Sequence, residues 1–375
     1  MFLVYFLQPS VLGLKGSRSA VSYAQALSNI PDTQITTLDN GLRVASEESG
    51  QPTCTVGVWI GAGSRYETPK NNGAAYFIEH LAFKGTKKRP QSALEQEVES
   101  IGAHLSTYTT REQTAIYIKA LSKDLPKAVE ILADVVQNNS LEDAQVEKAR
   151  QVLVQEMQEI ENNLQDVTFD YLHATGYQGT PLSKSVLGTS ENAKRLTRAD
   201  LLEYINLHYK APRMVLAAAG VLHRAEPDPL LGFPRGDFTL LLSECPYSKL
   251  QCSKERLYSK LAARNDDLPL AHVAIAVEGP GWNSNDNVSL ALANTIINSY
   301  DVTYGGGKSF QPFNIRYSDT GLLGMYFVSD KHNIEDMLHI AQAEWMRICT
   351  SATDGELIQA KKALKHALLA QLDGM

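Results

Sequence analysis

Cysteine and long apolar runs are scarce in this sequence. Only four of its 375 residues are cysteines, and none lies in a C-x-x-C pair. This argues against a disulfide framework and against a zinc site built from cysteines. Free thiols are typical of a reducing compartment. No apolar run approaches the ~20 residues that a transmembrane helix needs, so we expect any membrane association to come through partners or a lost segment.

An excess of basic residues is also absent. Lys and Arg total 35 against 42 Asp and Glu, which gives a net charge of −7. Nucleic-acid binding needs clustered cations that neutralise phosphates, so that class is disfavoured. A hydrophobic content of 43% with 21% charged residues excludes wholesale disorder. The length indicates two to three domains at ~150 residues per domain.

Acidic residues are missing from the first 31 positions, where Lys15 and Arg18 are the charged side chains. Together with several serines, this composition is typical of an organellar transit peptide, and we expect residues 1–33 to be such a leader. A secretory signal is an alternative because residues 1–7 are apolar, but Gln8-Pro9 cuts that stretch short. A tail without function is the third alternative.

From residue 34 onwards the pattern is that of an α+β protein with helices packed on a mostly antiparallel sheet. Asn40-Gly41 is a strong hairpin signal between two short strands within 34–46. The remaining strands are predicted over 54–62, within 104–121, and over 213–219. Helices are predicted over 71–85, 91–101, 123–136 and 196–209, with one long helix from Ser140 towards Gln165.

A second unit repeats the order of the first. Strands over 270–277 and 322–328, with helices over 287–297, 334–348 and 354–372, echo the earlier elements and indicate an internal duplication. The predicted domains are therefore 34–220 and a partial, incomplete copy over 265–375. Between them, residues 221–264 carry four prolines and are predicted to be an irregular connector. The stretch 304–309 is predicted to be a flexible turn, because Val302 breaks a phosphate-loop pattern.

The segment that carries chemistry is Tyr76-Phe77-Ile78-Glu79-His80. Inverted zinc motifs read H-x-x-E-H, with two histidines one helical turn apart that hold the metal and a glutamate that serves as general base. Here Tyr76 occupies the first ligand position, while Glu79 and His80 are present. Zinc sites ordinarily use His, Cys or carboxylate ligands, and a tyrosine with a pKa of ~10 is a poor substitute.

Four longer segments extend this motif into a family resemblance: GAGSRYE (61–67), NNGAAYFIEHLAFKGTKKRP (71–90), residues 102–138 and HYKAPRMVLAAAG (208–220). They resemble the pitrilysin-type metallopeptidases, and within them the mitochondrial branch of processing peptidase subunits and complex III core proteins. The resemblance covers 34–220 and 265–375. Tyrosine before Phe-Ile-Glu-His is the pattern of the core proteins, whereas the active peptidase has histidine there.

The resemblance implies which residues form the rest of the site. The remaining metal ligand of the family is a glutamate, and 75 residues separate it from the second histidine. Counting from His80 places this glutamate at Glu156. A supporting glutamate of the family corresponds to Ala149. We therefore expect a degenerate zinc site, with His80 and Glu156 as its metal residues and Glu79 as a relic general base. No cofactor is expected, or zinc if the site is functional.

The resemblance also implies a function. We expect a non-catalytic, structural core subunit of mitochondrial respiratory complex III that supports assembly of the complex and carries no redox centre of its own. It would lie on the matrix side of the inner membrane with a core protein 2-like subunit and the other subunits of the complex. The alternative is a zinc endopeptidase that cleaves mitochondrial presequences. The basic character of presequences would suit an acidic run made of Glu156, Glu159, Glu161, Asp166 and Asp170. A truncated product with neither role is the third alternative.

Overall fold

The computed structural model describes residues 33–48, 52–220, 269–297 and 307–373. These residues form two units, each described by itself. The first comprises 33–157 and 184–220 within the described ranges, and the second comprises 158–183 together with the described residues from 269 onwards. Both units contain helices and a β-sheet, so the predicted α+β class is confirmed.

The sheet of the first unit has six strands: β1 (Gln34–Thr37), β2 (Arg43–Glu47), β3 (Thr53–Ile60), β4 (His104–Thr109), β5 (Thr114–Leu121) and β6 (Met214–Ala219). Their order is β1-β2-β6-β3-β5-β4. Pairing within this described sheet is antiparallel except between β2 and β6. The predicted hairpin joins β1 to β2, and Gly41 supplies a φ of +85° at its turn, a conformation that favours glycine.

Seven helices lie between residues 74 and 208: α1 (Ala74–Leu81), α2 (Gln91–Ser100), α3 (Leu125–Gln137), α4 (Asp143–Ile160), α5 (Leu164–Gly176), α6 (Ser190–Arg195) and α7 (Arg198–His208). The helices of the first unit cover its sheet. Val56 and Val58 on β3 share one buried cluster with Phe77 and Leu81 on α1 and Ile131 on α3. This apolar contact fixes α1, the helix that carries the motif, against the sheet.

The prediction of one long helix from Ser140 towards Gln165 is wrong. The helix α4 ends at Ile160 and the separate helix α5 begins at Leu164. Between them, the amide of Asn163 donates a hydrogen bond to Asp166 at 2.6 Å, an interaction that competes with helix continuation. The segment 158–183 belongs to the second compact unit. The domain limits predicted from the sequence stay predictions.

The second unit contains β7 (Leu270–Pro280), α8 (Asn287–Ile297), β8 (Gly307–Arg316), β9 (Thr320–Asp330), α9 (Ile334–Ser351) and α10 (Asp354–Asp373). The strand order β7-β9-β8 is that of β3-β5-β4 in the first unit, and in both units two helices follow the last of these three strands in the chain. This shared topology supports the predicted internal duplication. Within the described residues, the second sheet has three strands where the first has six.

The strand β8 corrects the prediction of a flexible turn over 304–309, since it begins at Gly307. Pro312 lies in its middle. In the described sheet β8 is an edge strand that pairs with β9 alone. No strand lies on its outer side, so the missing N–H of the proline breaks no hydrogen bond there. The connector predicted over 221–264 and the leader, up to residue 32, lie outside the described residues.

None of the helices in the described part of the chain has the length and apolar character needed to cross a membrane.

Candidate functional site

The motif helix α1 has two distinct faces. Ala74, Ala75, Phe77, Ile78 and Leu81 are buried in the core of the first unit. Tyr76, Glu79 and His80 are half-buried on the opposite side. Residues three and four positions apart share one face of a helix, so the sequence spacing itself brings these three polar side chains together.

The N-terminus of α1 is held by the buried carboxylate of Glu67. The backbone N–H groups of Gly73 and Ala75 each donate a hydrogen bond to it at 2.8 Å, and the Asn72 amide donates another at 2.8 Å. Burial raises the pKa of the Glu67 carboxyl, although these three hydrogen bonds oppose the shift. Sequence reasoning missed this residue, which satisfies N–H groups that every helix leaves unpaired at its start.

Replacement of Glu67 by glutamine is expected to lower the free energy of unfolding by about 2 kcal/mol, since hydrogen bonds to a charged group contribute ~1.5–3 kcal/mol. The glutamine amide would present N–H groups to donors that now meet a carboxylate. Urea unfolding followed by circular dichroism measures the change. The control is Glu99→Gln, an exposed carboxylate on α2. Equal stability of the parent and the Glu67→Gln variant would contradict this capping role.

Helix α4 brings Glu156 to the motif. Its buried residues Val146, Ala149, Leu153 and Met157 recur at helical spacing and anchor α4 in the first unit. Glu156 lies beside this apolar stripe, with its side chain 35% exposed, and its Oε2 is 3.0 Å from Nε2 of His80. The structure thus brings His80 and Glu156 into direct contact.

Tyr76 completes this cluster as a neutral phenol. Its ring packs edge-on against His80, with 4.9 Å between the ring centroids. Burial raises the pKa of the Tyr76 hydroxyl, and so do the charge of Glu156, a hydrogen bond with that same carboxylate and the charge of Glu79. A phenol flanked by two carboxylates keeps its proton, so Tyr76 donates to Glu156 rather than offering a phenolate.

Glu79 is turned towards the sheet. It hydrogen-bonds to Thr109 at the end of β4, and burial raises the pKa of its carboxyl despite this bond. Its Oε2 is buried without a hydrogen-bond partner. The phenol of Tyr209 is buried nearby. Burial is the main cause that raises the pKa of Tyr209, and the charge of Glu79 raises it further. Neither Thr109 nor Tyr209 was predicted, because the packing of separate segments of the chain rather than local spacing brings them to Glu79.

The donor set does not fit a catalytic zinc ion. Such a site takes three protein ligands and leaves one position open, whereas this cluster offers one imidazole and one carboxylate. The third position holds the Tyr76 phenol in its protonated form. His80 Nε2 and Glu156 Oε2 lie 3.0 Å apart, within ion-pair distance, but this carboxylate oxygen has no hydrogen-bond partner. Among the described residues, no three His, Cys, Asp or Glu side chains converge as a metal would require.

Comparison with known proteins decides the family. Residues 43–190 match the family described as Insulinase (Peptidase family M16), and residues 239–364 match the Peptidase M16 inactive domain. The chain is 57% identical to cytochrome b-c1 complex subunit 1, mitochondrial, from Bos taurus, across 98% of this chain and 80% of that protein. The chain belongs to peptidase family M16. Its resemblance to pitrilysin-type metallopeptidases is thereby confirmed.

Other M16 members are similar over nearly the same length. The mitochondrial-processing peptidase subunit beta of Bos taurus is 50% identical across 95% of this chain and 76% of that protein. A protease from Helicobacter pylori shares the fold with a TM-score of 0.83 at 19% identity, over 92% of this chain and 86% of that chain. A Candida albicans complex III structure with Inz-5 bound gives a TM-score of 0.76 at 24% identity, over 91% of this chain and 82% of that chain. At these identities the two structures show the fold alone.

Proposed function

We propose that this chain is a structural core subunit of mitochondrial respiratory complex III, of the core protein 1 type. It supports assembly of the complex and carries no redox centre. The observation that carries the proposal is the contact of His80 with Glu156 beside a protonated Tyr76, which leaves the motif short of a metal ligand. The bovine relative named cytochrome b-c1 complex subunit 1, at 57% identity, and its human counterpart, at 56%, support this role.

The proposal includes a location and partners. The chain lies at the mitochondrial inner membrane on the matrix side, where a core protein 2-like subunit and other complex III subunits bind it. The names of the bovine, mouse and human relatives place those proteins in mitochondria. Because the names also describe them as subunits of the cytochrome b-c1 complex, binding to other subunits is part of the role we infer.

One observation favours a second candidate, a zinc endopeptidase that cleaves mitochondrial presequences. His80 on α1 contacts Glu156 on α4, the charges of both act on the Glu79 carboxyl, and Glu79 keeps one carboxylate oxygen without a hydrogen-bond partner. The 50% identity with a mitochondrial-processing peptidase subunit points the same way. The acidic run gives this candidate less support than the sequence implied: Asp166 accepts a hydrogen bond from Asn163, and it belongs to the second unit.

The two candidates differ in their need for Glu79. In cells that lack their own core protein 1 subunit, we expect the parent chain and the Glu79→Gln variant to restore complex III to the same level, as measured on native gels. A structural subunit has no use for a general base, and glutamine preserves the shape of the side chain. Ubiquinol–cytochrome c reductase activity in isolated membranes is the second readout.

Glu99→Gln serves as the matched control, because Glu99 is an exposed carboxylate away from the motif. If Glu79→Gln accumulates normally but fails to restore the complex, whereas Glu99→Gln restores it, the carboxylate of Glu79 is required and the structural proposal is wrong.

A further inference from the structure

A cavity of about 370 Å³ lies on the first unit beside the motif helix. Its wall is formed by the end of α1, the start of α2, the segment between them and the N-terminal half of α4. The lining residues are His80, Lys84, Gln91, Gln145, Lys148, Ala149 and Val152. The cavity is open to solvent on one side, and its volume falls within the range of ligand-binding pockets.

The charge of this cavity is the reverse of the chain's overall charge. Its lining contains two lysines and no aspartate or glutamate, although the whole chain carries −7. Lys84 and Lys148 are exposed, and in the described part of the chain neither has a carboxylate within ion-pair distance. Other cations of the same unit are paired: Lys127, for example, lies 3.3 Å from Glu97. The two lysines of the cavity therefore remain available to an external anion.

The remaining lining groups are suited to a peptide. The side-chain amides of Gln91 and Gln145 present both donors and acceptors, the pairing groups that a peptide backbone needs. The amide N–H of Gln91 already donates to Glu95 at 2.7 Å, so Gln145 is the freer of the two. Ala149 and Val152 add a small apolar wall. Such a mixture of lysines, amides and short apolar side chains matches a peptide with carboxylate side chains better than a bare ion.

We propose that this cavity binds a short acidic peptide segment, with its carboxylates paired to Lys84 and Lys148. The inference goes beyond the proposed function, since a structural role assigns no ligand to this cavity, although the cavity shares His80 with the motif. The same two lysines would repel basic leader peptides that approached His80 from this side. The site thus selects for the opposite charge from that of a mitochondrial presequence.

The test uses the purified full chain and a rhodamine-labelled eight-residue peptide of alternating Glu and Ser, with fluorescence anisotropy as the readout. An exposed ion pair contributes up to ~1 kcal/mol, or roughly a fivefold change in affinity. We therefore expect Lys84→Gln and Lys148→Gln each to weaken binding about threefold, and the double variant about tenfold. Lys119→Gln, at an exposed lysine on β5 outside the cavity lining, is the matched control and is expected to bind as the parent does.

Two further arms make the result decisive. A peptide with Gln in place of each Glu is expected to bind at least about tenfold more weakly than the acidic peptide, since it lacks the carboxylates that form the ion pairs. Inorganic phosphate, titrated as a competitor, is expected to displace the acidic peptide poorly. Equal binding of the two peptides, unchanged binding by the double lysine variant, or displacement by phosphate at concentrations similar to those of the peptide would each overturn the proposal. None of these measurements depends on complex assembly or on zinc, so failure here is separable from failure of the proposed function.

Discussion

Replacing Tyr76 with histidine is expected to raise the zinc affinity of the chain by about 100-fold or more. Loss of an outer-shell partner alone typically costs ~10–100-fold in metal affinity, and this variant adds a direct ligand. It restores H-x-x-E-H on α1, where His80 already lies 3.0 Å from Glu156, and it removes the phenol that donates to that carboxylate. Elemental analysis after dialysis and a competitive chelator titration measure the change.

Tyr76→Phe is the matched control, because it removes the hydroxyl without adding a ligand and should bind no more zinc than the parent. If Tyr76→His gains no zinc affinity over Tyr76→Phe, then His80 and Glu156 are not placed to share a metal. Our assignment of Glu156 as the distal ligand would then be wrong.

Peptidase activity is expected to rise less than zinc affinity in the Tyr76→His variant. The family resemblance implies a supporting glutamate at the position of Ala149, and losses of such outer-shell groups typically cost ~10–100-fold. Because Ala149 and His80 line the same cavity, a glutamate introduced at Ala149 has space to extend towards the imidazole. The Tyr76→His/Ala149→Glu double variant should therefore recover part of the deficit. Presequence cleavage with a core protein 2-like partner is the assay.

Arg89→Ala is expected to lower the free energy of unfolding by about 3–5 kcal/mol, the usual cost of removing one partner of a buried ion pair. Arg89 lies in the loop that follows the motif helix α1, and its ion pairs with α3 attach this loop to that helix. Its guanidinium donates to Asp134 at 2.7 Å and to Glu97 at 2.9 Å, and it also pairs with Glu130. The Asp134 side chain is only 2% exposed, so the variant leaves its charge buried and uncompensated.

Lys127→Ala is the matched control for this prediction. Lys127 also pairs with Glu97 and Glu130, at 3.3 and 3.4 Å, but its side chain is 39% exposed. Exposed pairs contribute less than ~1 kcal/mol, so this variant should be nearly as stable as the parent in urea unfolding. Similar losses for the two variants would show that burial of Asp134 does not determine the cost.

Acid should reduce the effect of Arg89→Ala. Burial opposes ionisation of Asp134, but hydrogen bonds from Thr86, Asn138 and Arg89 more than offset it and hold the pKa of this carboxyl below its ordinary value. A lowered pKa in the folded state contributes stability above the unfolded value of about 4 and loses it as the pH falls further. The stability difference between the parent and Arg89→Ala is therefore expected to shrink on acidification below pH ~4.

Local patterns were enough to predict most of the elements, and the exceptions have physical reasons. The hairpin at Asn40-Gly41 and the helix over 287–297 depend on turn chemistry and periodicity within a few residues. The strand β8 was missed because Pro312 is acceptable only at a sheet edge, a fact that the pairing order reveals and the sequence does not. The break before α5 did leave a signal: Asn163 precedes Asp166 by three residues, which is typical of a helix start.

The residues of the candidate site also fall into those that the sequence predicts and those that depend on packing. Tyr76, Glu79 and His80 share a face of α1 by spacing alone, and the distance of Glu156 along the chain came from the family resemblance. Glu67 and Thr109 were not predicted, since their contacts with α1 and Glu79 depend on how separate segments pack. The sequence predicted only that Tyr76 is a poor zinc ligand. That two neighbouring carboxylates keep its hydroxyl protonated is visible only in the three-dimensional arrangement.

The parallel pairing of β2 with β6 has a consequence for synthesis on the ribosome. Arg43 pairs with Val215 and Glu47 with Ala219, so β2, which pairs with β1 on one side, finds its partner on the other side only after almost the whole first unit has been translated. Until β6 emerges, β3 has an open side and the β1–β2 hairpin has no sheet to join. Such long-range closure is slow and leaves strand edges available to other chains. The nascent chain is therefore most in need of chaperone protection before residues 214–219 have left the exit tunnel.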